Sequence, residues 1–532
     1  MTALRTASLI VAAAAVLHGG SVAGRVIDAH GGSALSGAEV SLVAEASSES
    51  GEALLLTRRS LPDGRFTFED VPAGSYLLGF SKGGYEGGSR GSMSVALTDS
   101  EPEVDVDLEL RRSGVLGGHV TDPDGDPIQD AIISLREWNT VQGRRKLRQV
   151  SSSRTDDRGT YRIHNLRPGK YIVTVMPRSV VAPRGVLAYE FGPVSYPNAT
   201  TPAGASPVEV RWGALLESID FRLDWSPDTA ISGAAMAAEG GRCNQCFVNL
   251  ADDGGGIIGA VSVSDDGYFA IRGAQPGQYR LTMRARRTQQ IASARVFVSE
   301  GKPAKAVLQP TDGVWLSGRV VLEGAPDDEE DSSEKAQTLS IQVLSFDGSR
   351  SPDRGTIQRQ VRWRDGEEFK IEGLSPGDYY LNVVRSPSGS YVREFLLAGQ
   401  PLPAGVFHVG ETPITDLEIR LAFDAGSVAG KVQNHPPSRN RGPLGQGLVV
   451  LLPDNYGEGP YVELLGGYRA SDGEFSIPNV PPGSYRVFAV LRDNNYDLGD
   501  PEDVEFLRRK GRRVQVGARA TTNAPAPFVA NR

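Results

Sequence analysis

The sequence predicts an all-β protein built from five tandem antiparallel β-sandwich modules in an elongated array. One short sequence pattern occurs five times, the residues around it alternate between apolar and polar, and no stretch has a convincing helical period. The 63 glycines and 34 prolines suit the many tight turns that short strands require. Because 532 residues exceed what one ordinary core can organise, we expect several compact units.

Each copy of the pattern contains an Asp and a Gly, an aromatic residue, a Pro and a Gly, and a tyrosine. Asp and Gly favour a tight turn, a strand begins at the aromatic residue, and the second turn precedes another strand. We expect the tyrosine ring to pack inward with its hydroxyl near a loop. The aromatic residue precedes the tyrosine by ten positions in every copy: Phe66 and Tyr76, Tyr161 and Tyr171, Phe269 and Tyr279, Phe369 and Tyr379, and Phe475 and Tyr485.

A glycine inside a short apolar strand marks the start of each module. These glycines lie 85 to 115 residues apart, a length that suits a sandwich of some seven strands. They are Gly24, Gly118, Gly233, Gly318 and Gly430. The predicted modules are residues 20–111, 112–226, 227–311, 312–424 and 425–517, followed by a disordered tail at 518–532.

Residues 1–19 are typical of a secretory signal peptide, with Arg5 followed by an apolar run and then small residues. A start assigned too early, which would add an unstructured tail, is the alternative. No later stretch reaches 18 uninterrupted apolar residues, so we expect no membrane span after signal removal. The protein is therefore predicted to be secreted, periplasmic or on the cell surface.

The net charge of −9, with acidic and basic residues interspersed, offers no positive surface for a polyanion. Nucleic acid is therefore not an expected partner.

The order of these features resembles the carboxypeptidase regulatory-like domain: G-x-V, a small residue with V-x-L, D-x-G-x-F and P-G-x-Y. The resemblance covers nearly all of residues 20–517. It implies an Ig-like or transthyretin-like β-sandwich, grouped with carbohydrate-binding-like folds and common in tandem on exported and surface bacterial proteins. It also implies modules that carry no reaction of their own. The third module lacks the Asp-Gly turn after its first strand, and the fourth inserts the acidic residues 327–331.

Two cysteines, Cys243 and Cys246, stand where other modules have apolar inward residues. In an oxidising compartment this predicts a short structural disulfide, with two buried thiols as the alternative. A redox role would need a helix N-terminus to lower a thiol pKa, and this pair leads into a strand.

Among the five tryptophans, Trp138 and Trp363 are the candidates for stacking on sugar rings. Trp138 follows an alternating run, and Trp363 precedes an Asp-Gly turn. Trp225 and Trp315 lie near module junctions, where packing between neighbours is the simpler interpretation.

The sequence predicts no catalytic residues, no metal site and no cofactor. His119 and Asp122 are spaced like metal ligands but lack the rest of a ligand set. The G-x-S-x-G at residues 87–91 lacks the strand-to-helix turn that a hydrolase needs. Asp122, Asp124 and Asp126 suit a β-turn better than a calcium loop.

The leading functional hypothesis is an exported, non-catalytic binding and spacer protein of the cell surface or envelope. A carbohydrate-binding protein is one alternative, and an accessory subunit of an exported peptidase or transport complex is another. The partner would then be a polysaccharide or an envelope or extracellular protein. Repetition of one module favours these functions because weak binding by several copies adds up to avidity.

Overall fold

The computed structural model describes most of the chain between residues 19 and 529. The described ranges are 19–44, 55–86, 91–98, 100–141, 144–180, 183–226, 229–237, 239–243, 245–253, 257–285, 291–300, 302–310, 314–324, 338–345, 356–362, 368–374, 377–385, 390–410, 412–433, 447–456, 464–467, 473–491, 496 and 501–529. The proposed signal peptide lies outside them, apart from its last residue. The described residues form two compact units, 19–112 and 113–529.

Sandwich 1 occupies residues 19–112. Its strands are β1 (Gly20–Asp28), β2 (Glu39–Ala44), β3 (Leu55–Arg59), β4 (Arg65–Val71), β5 (Gly74–Ser81), β6 (Tyr85–Glu86), β7 (Gly91–Leu97) and β8 (Glu103–Arg112). They form two four-stranded sheets, β4-β1-β8-β6 and β3-β2-β5-β7. The first strand β1 lies antiparallel to β4 and parallel to the last strand β8.

Sandwich 2 occupies residues 113–178 and 190–226. Its strands are β9 (Gly114–Thr121), β10 (Ile132–Val141), β11 (Arg144–Arg154), β12 (Thr160–Leu166), β13 (Gly169–Met176), β16 (Val194–Ser195), β17 (Val208–Val210), β18 (Leu215–Leu216) and β19 (Phe221–Arg222). One sheet has the order β11-β10-β13-β16 and the other β12-β9-β18, with β17 on β13 and β19 on β9. A 3₁₀ turn spans Pro202–Gly204.

Sandwich 3 comprises residues 179–189 and 229–310. Its strands are β14 (Ser179–Val180), β15 (Val186–Tyr189), β20 (Ala230–Ala235), β21 (Cys246–Ala251), β22 (Ile257–Ser262), β23 (Tyr268–Arg272), β24 (Gly277–Ala285), β25 (Ile291–Val298) and β26 (Ala304–Leu308). Its sheets have the orders β14-β15-β23-β20-β26 and β22-β21-β24-β25. The sequence placed residues 179–189 in the second module, and the structure corrects that boundary.

Sandwich 4 occupies residues 314–424. Its strands are β27 (Val314–Glu323), β28 (Thr338–Ser345), β29 (Thr356–Arg362), β30 (Glu368–Leu374), β31 (Gly377–Arg385), β32 (Tyr391–Leu397), β33 (Gln400–Pro401), β34 (Val406–Val409) and β35 (Ile414–Ala422). The sheets are β30-β27-β35-β32-β33 and β29-β28-β31-β34. A 3₁₀ turn spans Pro403–Gly405.

Sandwich 5 occupies residues 425–529. Its strands are β36 (Gly426–Gln433), β37 (Gly447–Pro453), β38 (Leu464–Gly467), β39 (Glu474–Val480), β40 (Gly483–Leu491), β41 (Arg512–Val516), β42 (Thr521–Asn523) and β43 (Ala526–Pro527). The sheets are β39-β36-β42, with β43 also on β36, and β38-β37-β40-β41.

The structure corrects the expectation that residues 518–532 form a disordered tail. Strands β42 and β43 lie parallel to β36 and supply the closing strand of sandwich 5. Ala524, Ala526 and Val529 are buried, so folding of this sandwich removes them from water.

One helix, α1 (Pro501–Lys510), was not expected from the sequence. Its apolar side chains Val504 and Leu507 pack on Val450, Leu452 and Phe488 of the neighbouring sheet. Acidic residues lie in its first turn and basic residues in its last turn, which suits the helix dipole. With so narrow an apolar stripe over ten residues, the segment gives little periodic signal.

Each sandwich has its own apolar core between its two sheets. The strand that contains the repeated aromatic residue contributes to this core by burying its second, fourth and seventh residues. In β4 these are Phe66, Phe68 and Val71, and β12, β30 and β39 show the same burial pattern. The alternation predicted from sequence is therefore confirmed, with one extra residue before the last buried position.

That extra residue is a β-bulge, and it explains a signal that sequence analysis overlooked. In all five sandwiches the residue four positions after the aromatic residue has a left-handed backbone, with φ between 56° and 79°: Asp70, Asn165, Gly273, Gly373 and Asn479. Asp, Asn and Gly are the residues that adopt this conformation at least cost. In four sandwiches the strand pairing shifts register beside this residue.

The repeated glycine of the first strand lies directly beneath a carbonyl oxygen of the parallel neighbouring segment. A Cβ atom at Gly24 would lie 1.8 Å from the Val106 oxygen, and the same contact would be 1.9 to 2.2 Å at Gly118, Gly233, Gly318 and Gly430. Such distances are impossible for non-bonded atoms. Only glycine therefore permits this close approach of two strands.

The repeated tyrosine packs inward and closes a turn through its hydroxyl, as expected. In four sandwiches the hydroxyl donates to the carbonyl oxygen four residues earlier at 2.8 Å: Tyr76 to Pro72, Tyr171 to Arg167, Tyr279 to Gln275 and Tyr485 to Pro481. Tyr379 is likewise buried in sandwich 4.

Within the described residues, no helix combines the length and apolar character needed to cross a membrane.

We expect Gly24→Ala to destabilise sandwich 1 by at least about 3 kcal/mol, because its new methyl group must displace the backbone of β8. Gly31→Ala is the matched control, since a Cβ atom there meets nothing within 4 Å. Calorimetry of both full-length variants measures the difference. Equal unfolding profiles for the two variants would contradict the steric account.

Candidate functional site

Charged side chains concentrate where consecutive sandwiches of the 113–529 unit meet. Arg136 and Asp252 join sandwiches 2 and 3, Arg295 and Asp378 lie 3.4 Å apart between sandwiches 3 and 4, and a charged groove separates sandwiches 4 and 5. The first and last of these junctions differ in kind, one being closed and one open.

At the 2–3 junction, a segment of chain leaves sandwich 2 and joins the sheet of sandwich 3. Strand β15 pairs in parallel with β23, and β14 pairs with β15. Leu187 and Tyr189 of this segment enter the core of sandwich 3, where the Tyr189 hydroxyl donates to the Ile258 carbonyl at 2.7 Å. This segment therefore belongs to the sheet and core of sandwich 3, although it lies between strands of sandwich 2 in the sequence.

A buried ion pair crosses the same junction. The Arg136 guanidinium lies 2.7 Å from the Asp252 carboxylate, and their side chains are 3% and 8% exposed. Arg136 also donates to the Thr174 hydroxyl at 2.9 Å, and Thr174 contacts the Ser195 hydroxyl at 2.8 Å. Because both charges have left water, the buried Arg136 of sandwich 2 depends on a carboxylate of sandwich 3 to offset its desolvation.

At the 4–5 junction, a groove of about 470 Å³ opens between the sandwiches. It is lined by Tyr391, Val392, Arg393, Asp424, Pro453, Asp454, Asn455, Pro481, Pro482, Gly483, Ser484 and Tyr485. We refer to this set as the 4–5 groove. Its volume lies in the range of about 300 to 1,000 Å³ that is common for small-molecule sites, which often form between domains.

Sandwich 4 contributes Arg393 and two carboxylates to one side of the groove. The Arg393 guanidinium lies 2.9 Å from Asp424 and 2.5 Å from Glu323. The Tyr391 hydroxyl donates to the other oxygen of Asp424 at 2.8 Å. The Asp424 backbone oxygen in turn accepts from Arg519 N–H at 3.0 Å, so sandwich 5 helps to hold this side.

These contacts shift the pKa values of Asp424 and Arg393. Burial raises the pKa of Asp424, but hydrogen bonds from Tyr391 and Arg393 outweigh burial and hold that pKa below its ordinary value of 3.8. The hydrogen bond with Tyr391, together with the neighbouring carboxylates, raises the pKa of Arg393. Both groups are therefore charged across the physiological pH range.

Sandwich 5 contributes Asp454 to the opposite side of the groove. Its carboxylate lies 3.6 Å from Arg486 and 3.2 Å from Arg513. Its backbone carbonyl accepts from Arg508, and its N–H donates to the Ser484 carbonyl at 3.0 Å. Asn455 beside it is exposed. The groove thus presents hydrogen-bond donors and acceptors on both sides.

Of the two tryptophans proposed to bind carbohydrate, the structure describes one. Trp138 lies on β10, where it is paired with Leu147 of β11 and half-buried. Trp363 lies outside the described residues. Binding of carbohydrate by either residue stays a prediction.

Trp225 is the tryptophan with the largest exposed area in the described part of the chain, at 55%. Its ring stacks on Phe191 at a centroid distance of 4.9 Å. From sequence, Trp225 was expected to pack between neighbouring modules. Its position in the sequence does not show which face of its ring stays in water.

Cys243 and Cys246 form a disulfide with a Cα separation of 5.7 Å. Cys246 is buried in the core of sandwich 3, and Cys243 packs against that core. The Cys243 N–H donates to the Ala235 carbonyl, as the N–H groups of Leu35 and Ile128 do to the first strands of sandwiches 1 and 2. The bridge thus occupies the place of apolar residues in those sandwiches.

The remaining motifs do not converge on a reactive centre. The Asp122 carboxylate accepts from the N–H groups of Asp124 and Asp126 at 2.9 Å, which is the turn predicted from sequence. His119 lies beside Asp220 on an exposed surface. Residues 87–90 of the G-x-S-x-G motif lie outside the described residues. Among the residues that the structure describes, no three His, Cys, Asp or Glu side chains cluster as metal ligands.

A family model supplies the assignment of the first two sandwiches. The model of the carboxypeptidase regulatory-like domain matches residues 21–110 and 115–186. The chain contains tandem carboxypeptidase regulatory-like domains. The second match ends at Val186, the first residue of β15, which pairs with β23 of sandwich 3.

Solved structures similar to this chain include three from Gram-positive bacteria. The Bacillus anthracis TIE protein is 12% identical over 73% of this chain and 69% of its own, with a TM-score of 0.15. GBS52, the minor pilin of Streptococcus agalactiae, is 13% identical over 39% of this chain and 97% of its own, with a TM-score of 0.22. BcpA, the major pilin subunit of Bacillus cereus, is 10% identical over 55% of this chain and 99% of its own, with a TM-score of 0.17. No curated protein matches the sequence.

The contribution of Tyr189 to the 2–3 junction should depend on pH. Burial raises its pKa from 10.0 to about 12. Because the unfolded chain loses this proton first, the stability from the neutral phenol is complete below pH 10 and is lost as pH rises toward 12. Tyr189→Phe should therefore cost about 1 kcal/mol at pH 8, from the lost hydrogen bond, and less above pH 10.

Denaturant unfolding of wild type and variant at pH 8 and pH 11 measures this difference. Tyr268→Phe, at an exposed tyrosine of the same sandwich, is the control. A Tyr189→Phe cost that stays constant with pH would contradict the burial of this hydroxyl.

Proposed function

We propose that the chain is an exported, non-catalytic protein of the cell surface or envelope that holds binding modules at a fixed spacing. The observation that carries this proposal is the 2–3 junction, where a segment between two strands of sandwich 2 forms part of the sheet of sandwich 3 and a buried ion pair spans both sandwiches. A spacer must resist bending at its joints, and this joint is built from core and sheet rather than from a linker.

The cost of burying charge supports a fixed joint. If sandwiches 2 and 3 moved apart, the buried Arg136 guanidinium would lose the Asp252 carboxylate that offsets its desolvation. Relative motion of these two sandwiches is therefore unfavourable.

Export is proposed from the N-terminal sequence and from the disulfide. Residues 1–19 are typical of a signal peptide, and a structural disulfide persists in oxidising compartments. The proposed partner is a polysaccharide or another envelope or extracellular protein. Absence of catalysis is proposed because polar residues such as Asp122, Arg136 and Thr174 serve turns and junctions.

Asp252→Asn tests the fixed joint. We expect it to destabilise the unit that contains sandwiches 2 and 3 by about 3 to 5 kcal/mol, because Arg136 stays buried without a counter-charge. Glu217→Gln is the control, since it breaks the exposed Arg162–Glu217 pair of sandwich 2 and should cost no more than about 1 kcal/mol. Equal shifts of the calorimetric transition for both variants would argue against the proposal.

Export is tested by placing residues 1–30 before an alkaline phosphatase that is active only outside the cytoplasm. We expect phosphatase activity from this fusion and none when residues 7–17 are deleted. Activity that is absent from both fusions would contradict the exported location.

A further inference from the structure

We propose that the 4–5 groove binds a short segment of a neutral oligosaccharide. This inference rests on the proposed binding function and gives it a location and a ligand class. Four separate pieces of chain build the groove: residues 391–393, Asp424, residues 453–455 and residues 481–485.

The charges of the groove are already paired, which argues against a charged ligand. Arg393 lies between Glu323 and Asp424, and Asp454 lies between Arg486 and Arg513. An incoming anion or cation would have to compete with one of these contacts. The groove therefore offers hydrogen bonds without offering net charge.

Sugar hydroxyls match what such paired groups still provide. A hydroxyl can donate to a carboxylate oxygen and accept from a guanidinium N–H at the same time, because each carboxylate has several acceptor sites and each guanidinium five donors. The Asp424, Arg393 and Asp454 side chains are each between 32% and 42% exposed, so part of each remains accessible. Asn455 adds an amide with both donor and acceptor atoms.

The apolar lining suits the C–H faces of sugar rings. Val392, Pro453, Pro481 and Pro482 line the groove together with the polar groups. Because the Tyr485 hydroxyl holds the Pro481 carbonyl and Tyr391 holds Asp424, the groove is formed before a ligand arrives. Such preorganisation reduces the entropy cost of binding.

Short, separate pieces of chain line the groove rather than one long sheet edge. Residues 391–393 begin β32, Asp424 follows β35, and Asp454 and Asn455 follow β37. Residues 481–482 connect β39 to β40, whose first three residues also line the groove. Strand addition by a peptide requires a continuous row of backbone groups. Such short pieces favour a glycan over an extended peptide.

The test is a glycan array probed with the full chain, carrying neutral glucans, mannans, xylans and chitin oligosaccharides together with pectate and heparin. We expect saturable binding to at least one neutral glycan. Its Kd should change less than about twofold between 0.05 and 0.5 M salt, since no ligand charge is neutralised. Binding to pectate or heparin alone would overturn the proposal, as would binding to no glycan.

Variants then locate the site. Asp454→Asn and Asn455→Ala should each weaken neutral-glycan binding at least about tenfold, as expected for the loss of a hydrogen bond to a bound polar group. Asn455 is exposed, so its variant stays informative if Asp454→Asn disturbs folding. The matched controls are Trp225→Ala and Trp138→Ala, which should bind as wild type does. Loss of binding in either tryptophan variant, with binding kept in both groove variants, would overturn the groove assignment.

The two proposals fail separately. Absence of glycan binding leaves the Asp252→Asn result for the spacer unchanged. An Asp252→Asn variant as stable as its control would remove the fixed joint but would leave a glycan bound in the groove unaffected.

Discussion

The five sandwiches depend on one close contact between backbones. In each of them a carbonyl oxygen of the closing segment lies so near the first strand that the facing residue must be glycine. This contact lets the first and last strands pair in parallel, as β1 and β8 do. Since parallel strands run in the same direction, the chain enters such a sheet at one end and leaves it at the other.

Backbone constraints of this kind explain which positions of the repeat allow only a few residue types. The glycine, the left-handed bulge residue and the tyrosine hydroxyl each solve a backbone problem that recurs in every copy. The core positions need only be apolar and of suitable volume, so they vary among Val, Leu, Ile and Phe. Sequence differences between the modules are thus found at core positions, where several apolar residues fit equally well.

The repeat could be predicted from sequence because its determinants are local. The spacing between Phe66 and Tyr76 already contains a strand, a turn and a second strand. The exchange of β15 could not be predicted in the same way, since Val186–Tyr189 is an ordinary apolar strand that any nearby sheet edge could accept. Strands β42 and β43 were missed because they are very short and rich in polar, alanine and proline residues.

The 4–5 groove could not be predicted from sequence because it forms between two modules. Arg393 and Asp454 belong to different modules, and no spacing rule brings them to opposite sides of one groove. The tryptophans were assessed by their position relative to strands, but exposure depends on what packs behind the ring, as Phe191 does behind Trp225. Turn and strand patterns reveal a module, whereas contacts between modules appear only after folding.

The 2–3 junction carries the central claim, and pulling the full chain in a single-molecule force experiment tests it most directly. If sandwiches 2 and 3 form one mechanical body, residues 114–308 should unfold in one step that lengthens the chain by about 65 to 70 nm. Two separate steps of about 40 and 28 nm, each matching one sandwich, would contradict a single mechanical body.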